Sequence, residues 1–467
     1  MSTIKKGTNK AKNYTKKKRS IIYNNSKILV NFYKQSKDLD TTLFGISINK
    51  NSIMSKFLEH VYMQFNNKQQ IINGITIEKS RSQIDNKNII NSKITSIVNK
   101  YLIQSKYIDK NIINFIITNV HNCKIVTYEN IIKGKSYVFD FIIYNDEIAI
   151  KKLDIIVEKM LLLLQVLIAI SNNETRNGQH ITFFLTPFLK ELNNNKDILG
   201  AKNVNTGFTY PYLENGVTFI YRKEEFFKVF IHESIHYYGI DKALHQDLNN
   251  TSNYSNFINL FNISNKHYKK IGIQESLTEF WTFVMLLCVI SYKKNIKLAN
   301  YIYEFERLYK TELIHIIFQL VKILNYNNLT YVQLLSNSTT NTHTNTHTNK
   351  YKETSHTNKY KETSHIFSYY IVKAILVYNH EDLFKSNIFD LDFSTKINIC
   401  LKQDNVSINN FLINLRKYAL NTQFIALISK VGILFNKIQS NIYMKSIYRQ
   451  KFILNNLRMM SNELIII

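Results

Sequence analysis

The stretch Glu224-Glu-Phe-Phe-Lys-Val-Phe-Ile-His-Glu-Ser-Ile-His-Tyr-Tyr238 decides the reading of this chain. Its pattern predicts a helix starting near Lys223, and inside it His232-Glu233-Ser234-Ile235-His236 forms an HExxH. Positions i and i+4 share one helix face, so both imidazoles can reach one zinc at about 2.0–2.1 Å. Glu233 is rotated by about 100° from His232, where its carboxylate can reach a water in an open metal position rather than the metal itself. Phe226, Phe227, Val229, Phe230, Ile231, Ile235, Tyr237 and Tyr238 make the helix apolar nearly all round, which predicts burial. Two histidines and a glutamate inside such a helix are costly unless paired or metal-bound. The competing reading is a surface helix with satisfied histidines.

A catalytic zinc takes three protein ligands, so a third must be sought. Downstream, Gly272-Ile-Gln-Glu-Ser-Leu-Thr-Glu-Phe-Trp-Thr-Phe-Val-Met-Leu-Leu287 reads as a second apolar helix with Glu275 and Glu279 at i and i+4. Two carboxylates on one face of a largely buried helix again ask for a cation or a donor. With these two segments the chain resembles the gluzincin zinc metallopeptidases, the thermolysin-like class. Their HExxH is followed on a second helix by an Asn-Glu-x-x-x-Asp-like segment, which Gln274-Glu275-Ser276-Leu277-Thr278-Glu279 matches in outline. The resemblance implies an α+β fold with a zincin-like catalytic core, a mixed sheet carrying the HExxH helix and the second glutamate helix. It implies Zn2+ held by His232, His236 and Glu275, with Glu233 as the general base that activates the attacking water. Glu279 would hold the ring NH of His232, and Gln274 would orient His236, fixing tautomer and orientation. Two departures stand out: Gln and Glu replace Asn and Asp, and Glu275 follows the second histidine at a longer interval than in compact thermolysin-like enzymes.

A metzincin pattern, HExxHxxGxxH, is met up to Gly239 but places Lys242 at the third ligand position, with Asp241 and His245 offset from it. Gly239 is better read as a helix C-cap. Zincins bind the substrate backbone along an edge strand preceding the HExxH helix, and Asn205-Thr-Gly-Phe-Thr209, with Asn205, Gly207 and Phe208, or Val217–Tyr221 are candidates for it. Ordinary sheet pairing competes with that role. Gluzincins also place a downstream Tyr or His on the oxyanion, for which Tyr369 and Tyr370 are the candidates here. Aromatic residues at helical spacing are also ordinary core.

Outward from these helices, Cys123–Tyr128 and Ser136–Tyr144 have strand composition and suggest a hairpin around a Lys-Gly-Lys turn. An apolar segment from about Ile148 to Ser171 suits a core helix, and His180–Thr186 is a further strand stopped by Pro187. The expected organisation is a basic disordered tail over 1–25, a helical region over 26–118 and the catalytic core over 119–335. A low-complexity loop over 336–365 and a helical region over 366–467 complete it. Within that loop the nonamer Thr348-Asn-Lys-Tyr-Lys-Glu-Thr-Ser-His356 recurs unchanged at Thr357–His365. Two perfect copies suggest recent duplication in a tolerated surface loop more than metal binding by a His-rich tract.

The 467 residues carry 60 Lys and Arg against 34 Asp and Glu, a net charge of +26. Only eight of the 60 are Arg, whereas readers of phosphate and base edges lean on the Arg fork. Lys, Asn, Ile, Tyr and Phe are abundant together, a coding bias of the kind seen in giant DNA viruses and AT-rich parasites, so the charge is weak evidence for a nucleic-acid partner. The tail MSTIKKGTNKAKNYTKKKRS has eight basic and no acidic residues, which suits weak polyanion binding or nuclear import. Three separated cysteines suggest neither a disulfide framework nor a Cys-based zinc site and fit a soluble, intracellular protein, in host cytoplasm, nucleus or virion if viral. The longest apolar run, Met160–Ile170, is too short for a membrane span. The expected function is zinc-dependent hydrolysis of a peptide or protein substrate. The alternatives are a basic nucleic-acid- or virion-associated structural protein retaining a non-proteolytic zincin fold, and a hydrolase of a non-peptide amide.

Overall fold

The structure, a computed structural model, describes residues 26–33, 48, 51–66, 79–144, 150–171, 177–193, 197–210, 216–245, 251–264, 271–335, 358–393, 396–440 and 446–462. The tail 1–25 and residues 336–357 of the low-complexity tract lie outside them. The architecture is mixed α and β. Helix α1 (Ile53–Asn66) precedes β1 (Lys79–Ile84), α2 (Lys87–Ile97) and α3 (Lys110–Thr118). Strands β2 (Cys123–Ile132) and β3 (Lys135–Tyr144) form the expected hairpin, and α4 (Ile150–Ile170) crosses over to β4 (Gly178–Phe184). Strands β5 (Gly207–Tyr210) and β6 (Val217–Ile220) lead into α5 (Phe226–Tyr237), the HExxH helix.

The six strands form one sheet in the order β1-β2-β3-β4-β6-β5. Pairs β3–β4 and β4–β6 are parallel and the other three antiparallel. The β2–β3 turn is the two residues Lys133 and Gly134, both at positive φ (51° and 73°), a conformation that follows the twist of the strands it joins. Strand β1 belongs to the region expected to be helical, so the sheet extends beyond the boundary drawn at 119. Side chains alternate across the sheet. Val126, Tyr128, Phe139, Phe141, Ile181, Phe183 and Ile220 enter one core with α4 and α5. Ile125, Ile142, Phe184, Phe208, Phe219 and Tyr221 enter a second with α2 and α3.

On the α5 side the core is closed by helices. These are α6 (Ser252–Ile258), α7 (Ile273–Ser291), which packs directly on α5, and α8 (Leu298–Tyr326). A π-helical turn, Phe367–Val372, runs into α9 (Lys373–Tyr378). The C-terminal region, expected to be helical, also holds a strand pair, β7 (Phe389–Asp392) and β8 (Lys396–Leu401), before α10 (Asn405–Ala419), α11 (Thr422–Gln439) and α12 (Ile447–Asn455). Among the described residues α7 alone has the length and hydropathy of a membrane span, or α10 and α11 as well if that pair, bent by 51°, is counted as one; 83% of the α7 window is buried within the fold.

Residues 358–365, the described part of the second nonamer copy, are packed rather than looped out. Tyr360 is fully buried and bridges to Ile263, and the Glu362 carboxylate accepts from Tyr360 Oη at 2.9 Å and from the Phe367 N–H at 2.5 Å. Thr363 donates its N–H to Leu199 O. The expectation of a surface loop therefore fails for this segment, because Tyr360 packs into the core and Glu362 is buried, accepting the N–H of Phe367 at the start of the following helical turn.

Candidate metal centre

Helix α5 ends in a Schellman motif, as the reading of Gly239 as a C-cap anticipated. Gly239 lies at φ 65°, its N–H bonds His236 O, and the Ile240 N–H bonds Ile235 O. The reversal carries Asp241 back under the last turn, where Asp241 Oδ2 accepts from His236 Nδ1 at 2.7 Å and from His245 Nε2 at 2.7 Å. With Nδ1 committed to Asp241, His236 presents Nε2 inward. His232, one turn earlier, stands with Nδ1 2.8 Å from Glu279 Oε1 and also presents Nε2 inward.

The two Nε2 atoms are 3.1 Å apart, and Glu275 Oε2, from the first turn of α7, lies 3.3 Å from one and 3.4 Å from the other. A tetrahedral zinc with bonds of about 2.0–2.1 Å needs ligand atoms about 3.3 Å apart, so this triangle has the size of one face of such a site. These are three acceptor atoms facing one another. Glu275 Oε2 is buried and receives no hydrogen bond among the described residues, although the imidazoles beside it hold its carboxyl well below the usual range. Three lone pairs at this separation repel unless a proton or a metal ion stands between them, so with both imidazoles neutral the residues fit a bound dication. His232, His236 and Glu275 also form one of two groups of potential ligand atoms close enough for an ion among the described residues. The other, His236, Asp241 and His245, has the short 2.7 Å spacings of hydrogen bonds and shares His236, so it is the support of the first.

Behind His232 the environment is ionic. The Glu279 side chain is fully buried; Oε1 accepts from Lys228 Nζ and Oε2 from Lys373 Nζ at 2.9 Å. Lys228 sits one turn before His232 on α5, and Lys373 opens α9. Burial alone would push the carboxyl groups of Glu275 and Glu279 up. The imidazoles hold Glu275 well below the usual range, and the two lysines with His232 do the same for Glu279. Burial opposes a charge on the histidines too, but Glu275 and Glu279 raise His232, and Asp241 and Glu275 raise His236 well above the ordinary value. Glu233 is pushed up, chiefly by burial. Its acceptor strength is thereby raised toward that of a useful general base.

Other sequence-predicted positions separate into those the fold brings to the centre and those it does not. Tyr369 is brought there, its ring centred 6.0 Å from that of His232. Tyr370 is not: its hydroxyl donates to Leu457 O at 2.6 Å, on the far side of the helix. Gln274 does not orient His236; its Nε2 lies against Gly272, and Asp241 takes the role instead. Gly207 lies beside Glu233, since a Cβ built on it would stand 3.3 Å from Glu233 Oε1. Phe208 faces the opposite core of the sheet, and the Asn205 amide is spent on Tyr107 O and Ser364 Oγ, so neither side chain can meet a substrate at the centre. Sequence reasoning missed Asp241, Lys228 and Lys373 as partners. A lone lysine in an otherwise apolar helix was a signal for Lys228; Lys373 had none.

Neither a family model, a curated protein nor a solved structure matches this chain. The functional reading therefore stands on the geometry of the centre.

Proposed function

We propose that the chain is a zinc-dependent peptide hydrolase of gluzincin type with a zincin-like core. The observation that carries this is the convergence of His232 Nε2, His236 Nε2 and Glu275 Oε2 within 3.1–3.4 Å, with Glu233 buried beside them. Zinc, when bound, supplies Lewis acidity that polarises a scissile carbonyl and acidifies water. The chain's own residues do the rest. Glu233 accepts a proton from the attacking water and returns it to the leaving amine. Asp241 and Glu279 fix the two imidazoles with Nε2 inward. Tyr369, its ring centred 6.0 Å from that of His232, is the residue we assign to donate its hydroxyl to the developing oxyanion.

The edge position of β5 supports a peptide substrate. Thr206 O accepts from the Tyr221 N–H, so by antiparallel alternation the backbone groups of Gly207 and Thr209 point away from β6 toward the edge, which no strand among the described residues pairs. An extended peptide laid there passes close to Glu233, whose Oε1 lies 3.3 Å from where a Cβ on Gly207 would stand.

The test is zinc content together with cleavage of a peptide library. Wild type is expected to hold one zinc and cleave; Glu233→Gln is expected to hold zinc and lose cleavage. Glu275→Ala is expected to lose zinc, and undiminished zinc in that variant would overturn the ligand assignment.

A further inference from the structure

A dication at this centre would face two buried ammonium groups through a single carboxylate. Glu279, which backs His232, is held by Lys228 and Lys373, whose side chains are 4% and 1% exposed. Both ammoniums are pinned from the other side by one residue of the C-terminal segment: Lys228 Nζ contacts Met459 Sδ at 3.1 Å and Lys373 Nζ contacts Met459 O at 3.4 Å. The opposite histidine is treated differently, since among the described residues Asp241 Oδ2 receives imidazole donors alone, His236 and His245. A carboxylate strengthens a histidine ligand by drawing on its ring N–H. A carboxylate already neutralised by two cations draws less, and each buried cation repels a dication on the far side of the imidazole.

We infer that Lys228 and Lys373 are positioning residues that fix Glu279 behind His232 and in doing so weaken the centre's hold on its metal, leaving the bound ion electron-poor. The inference rests on the metal-centre reading above and concerns affinity rather than the ligand set. A centre built this way gives up binding strength and keeps Lewis acidity at the open position, the property that polarising a carbonyl requires.

The sign of one substitution separates this from a purely structural clamp. In Lys373→Met, zinc affinity measured by competition with a chromophoric chelator at fixed pH is expected to tighten by about tenfold or more, the scale on which such outer partners act. A residue that only braces the site would instead loosen it. The Co2+ spectrum of the variant is expected to keep the intensity of a four-coordinate centre, showing that no ligand is lost. Lys373→Arg keeps the charge and is expected to leave affinity near wild type. Lys322→Met removes another buried lysine, one bound to Asn456 O rather than to Glu279, and is expected to leave affinity unchanged. Should Lys373→Met not fold, Lys228→Met is the same test from the α5 side. Unchanged or weaker zinc binding in a folded variant with an intact Co2+ spectrum overturns the inference. A wild-type protein that binds neither zinc nor Co2+ overturns the metal-centre reading itself.

Discussion

Zinc should enter this centre in exchange for protons. The three acceptor atoms of the triangle lie 3.1, 3.3 and 3.4 Å apart, closer than unscreened lone pairs tolerate, so the metal-free centre must hold at least one proton among them. The acids around the rings agree: His236 is raised well above its ordinary value by Asp241 and Glu275, and His232 is raised by Glu275 and Glu279, each against the opposing effect of burial. A zinc ligand must be the neutral imidazole, so binding expels those protons. With one to two protons released, the apparent Kd falls about 10- to 100-fold for each unit of rising pH. The sign follows from the direction of the shifts. Groups whose folded pKa is raised stay protonated further up the scale, so affinity climbs through neutrality and levels off only above the raised values. Isothermal titration calorimetry in two buffers of different ionisation enthalpy at pH 6.5 counts the protons directly. In Glu275→Gln the charge holding both imidazolium forms is gone, so any residual binding is expected to release fewer. Stoichiometric zinc binding to wild type with no proton released would refute the argument, because the converging atoms would then have been satisfied without a proton.

Asp241→Asn removes the carboxylate that fixes His236 and is expected to weaken zinc by about 10- to 100-fold while leaving the fold intact, read by chelator competition and circular dichroism. Gly207→Ala places a methyl 2.8 Å from Val229 Cγ1 and 2.9 Å from Phe219 O, and a backbone oxygen cannot step aside. A loss of about 1–3 kcal/mol in urea unfolding is expected, with cleavage reduced beyond that because Glu233 is the next atom it meets; unaltered stability would contradict the packing. Burial pushes the Glu362 carboxyl up to about 8. An unfolded glutamate ionises near pH 4.3, so between that pH and 8 the native state holds a proton the unfolded state lacks, and stability falls as pH rises. Glu362→Gln is expected to match wild type near pH 5 and to exceed it at pH 8 by up to about 4 kcal/mol; equal pH slopes for the two would refute this.

Much of the candidate centre is legible because its candidate ligands are local. HExxH and Gln-Glu-x-x-x-Glu each set their groups one turn apart, a spacing that a helix turns into a shared face without help from the rest of the fold. The strands that could be read, β2 to β6, are the ones with apolar alternation. Strand β1, Lys-Ser-Arg-Ser-Gln-Ile, is a polar edge strand with almost no buried side chain, and only its pairing with β2 makes it a strand. The partners of Glu279 could not be read as a pair, because Lys228 and Lys373 meet only when α5, α7 and α9 pack together. Adjacent tyrosines show the limit most sharply. Tyr369 and Tyr370 are equivalent by composition, yet successive helical residues diverge by about 100°, so one ring faces His232 and the other anchors the C-terminal segment. Which is which depends on the rotational phase of the turn Phe367–Val372, and its π-helical winding departs from the 3.6-residue period that a sequence reading assumes. Glu362 accepts the Phe367 N–H at the start of that turn, so a residue of the duplicated nonamer helps fix which of the two rings faces His232.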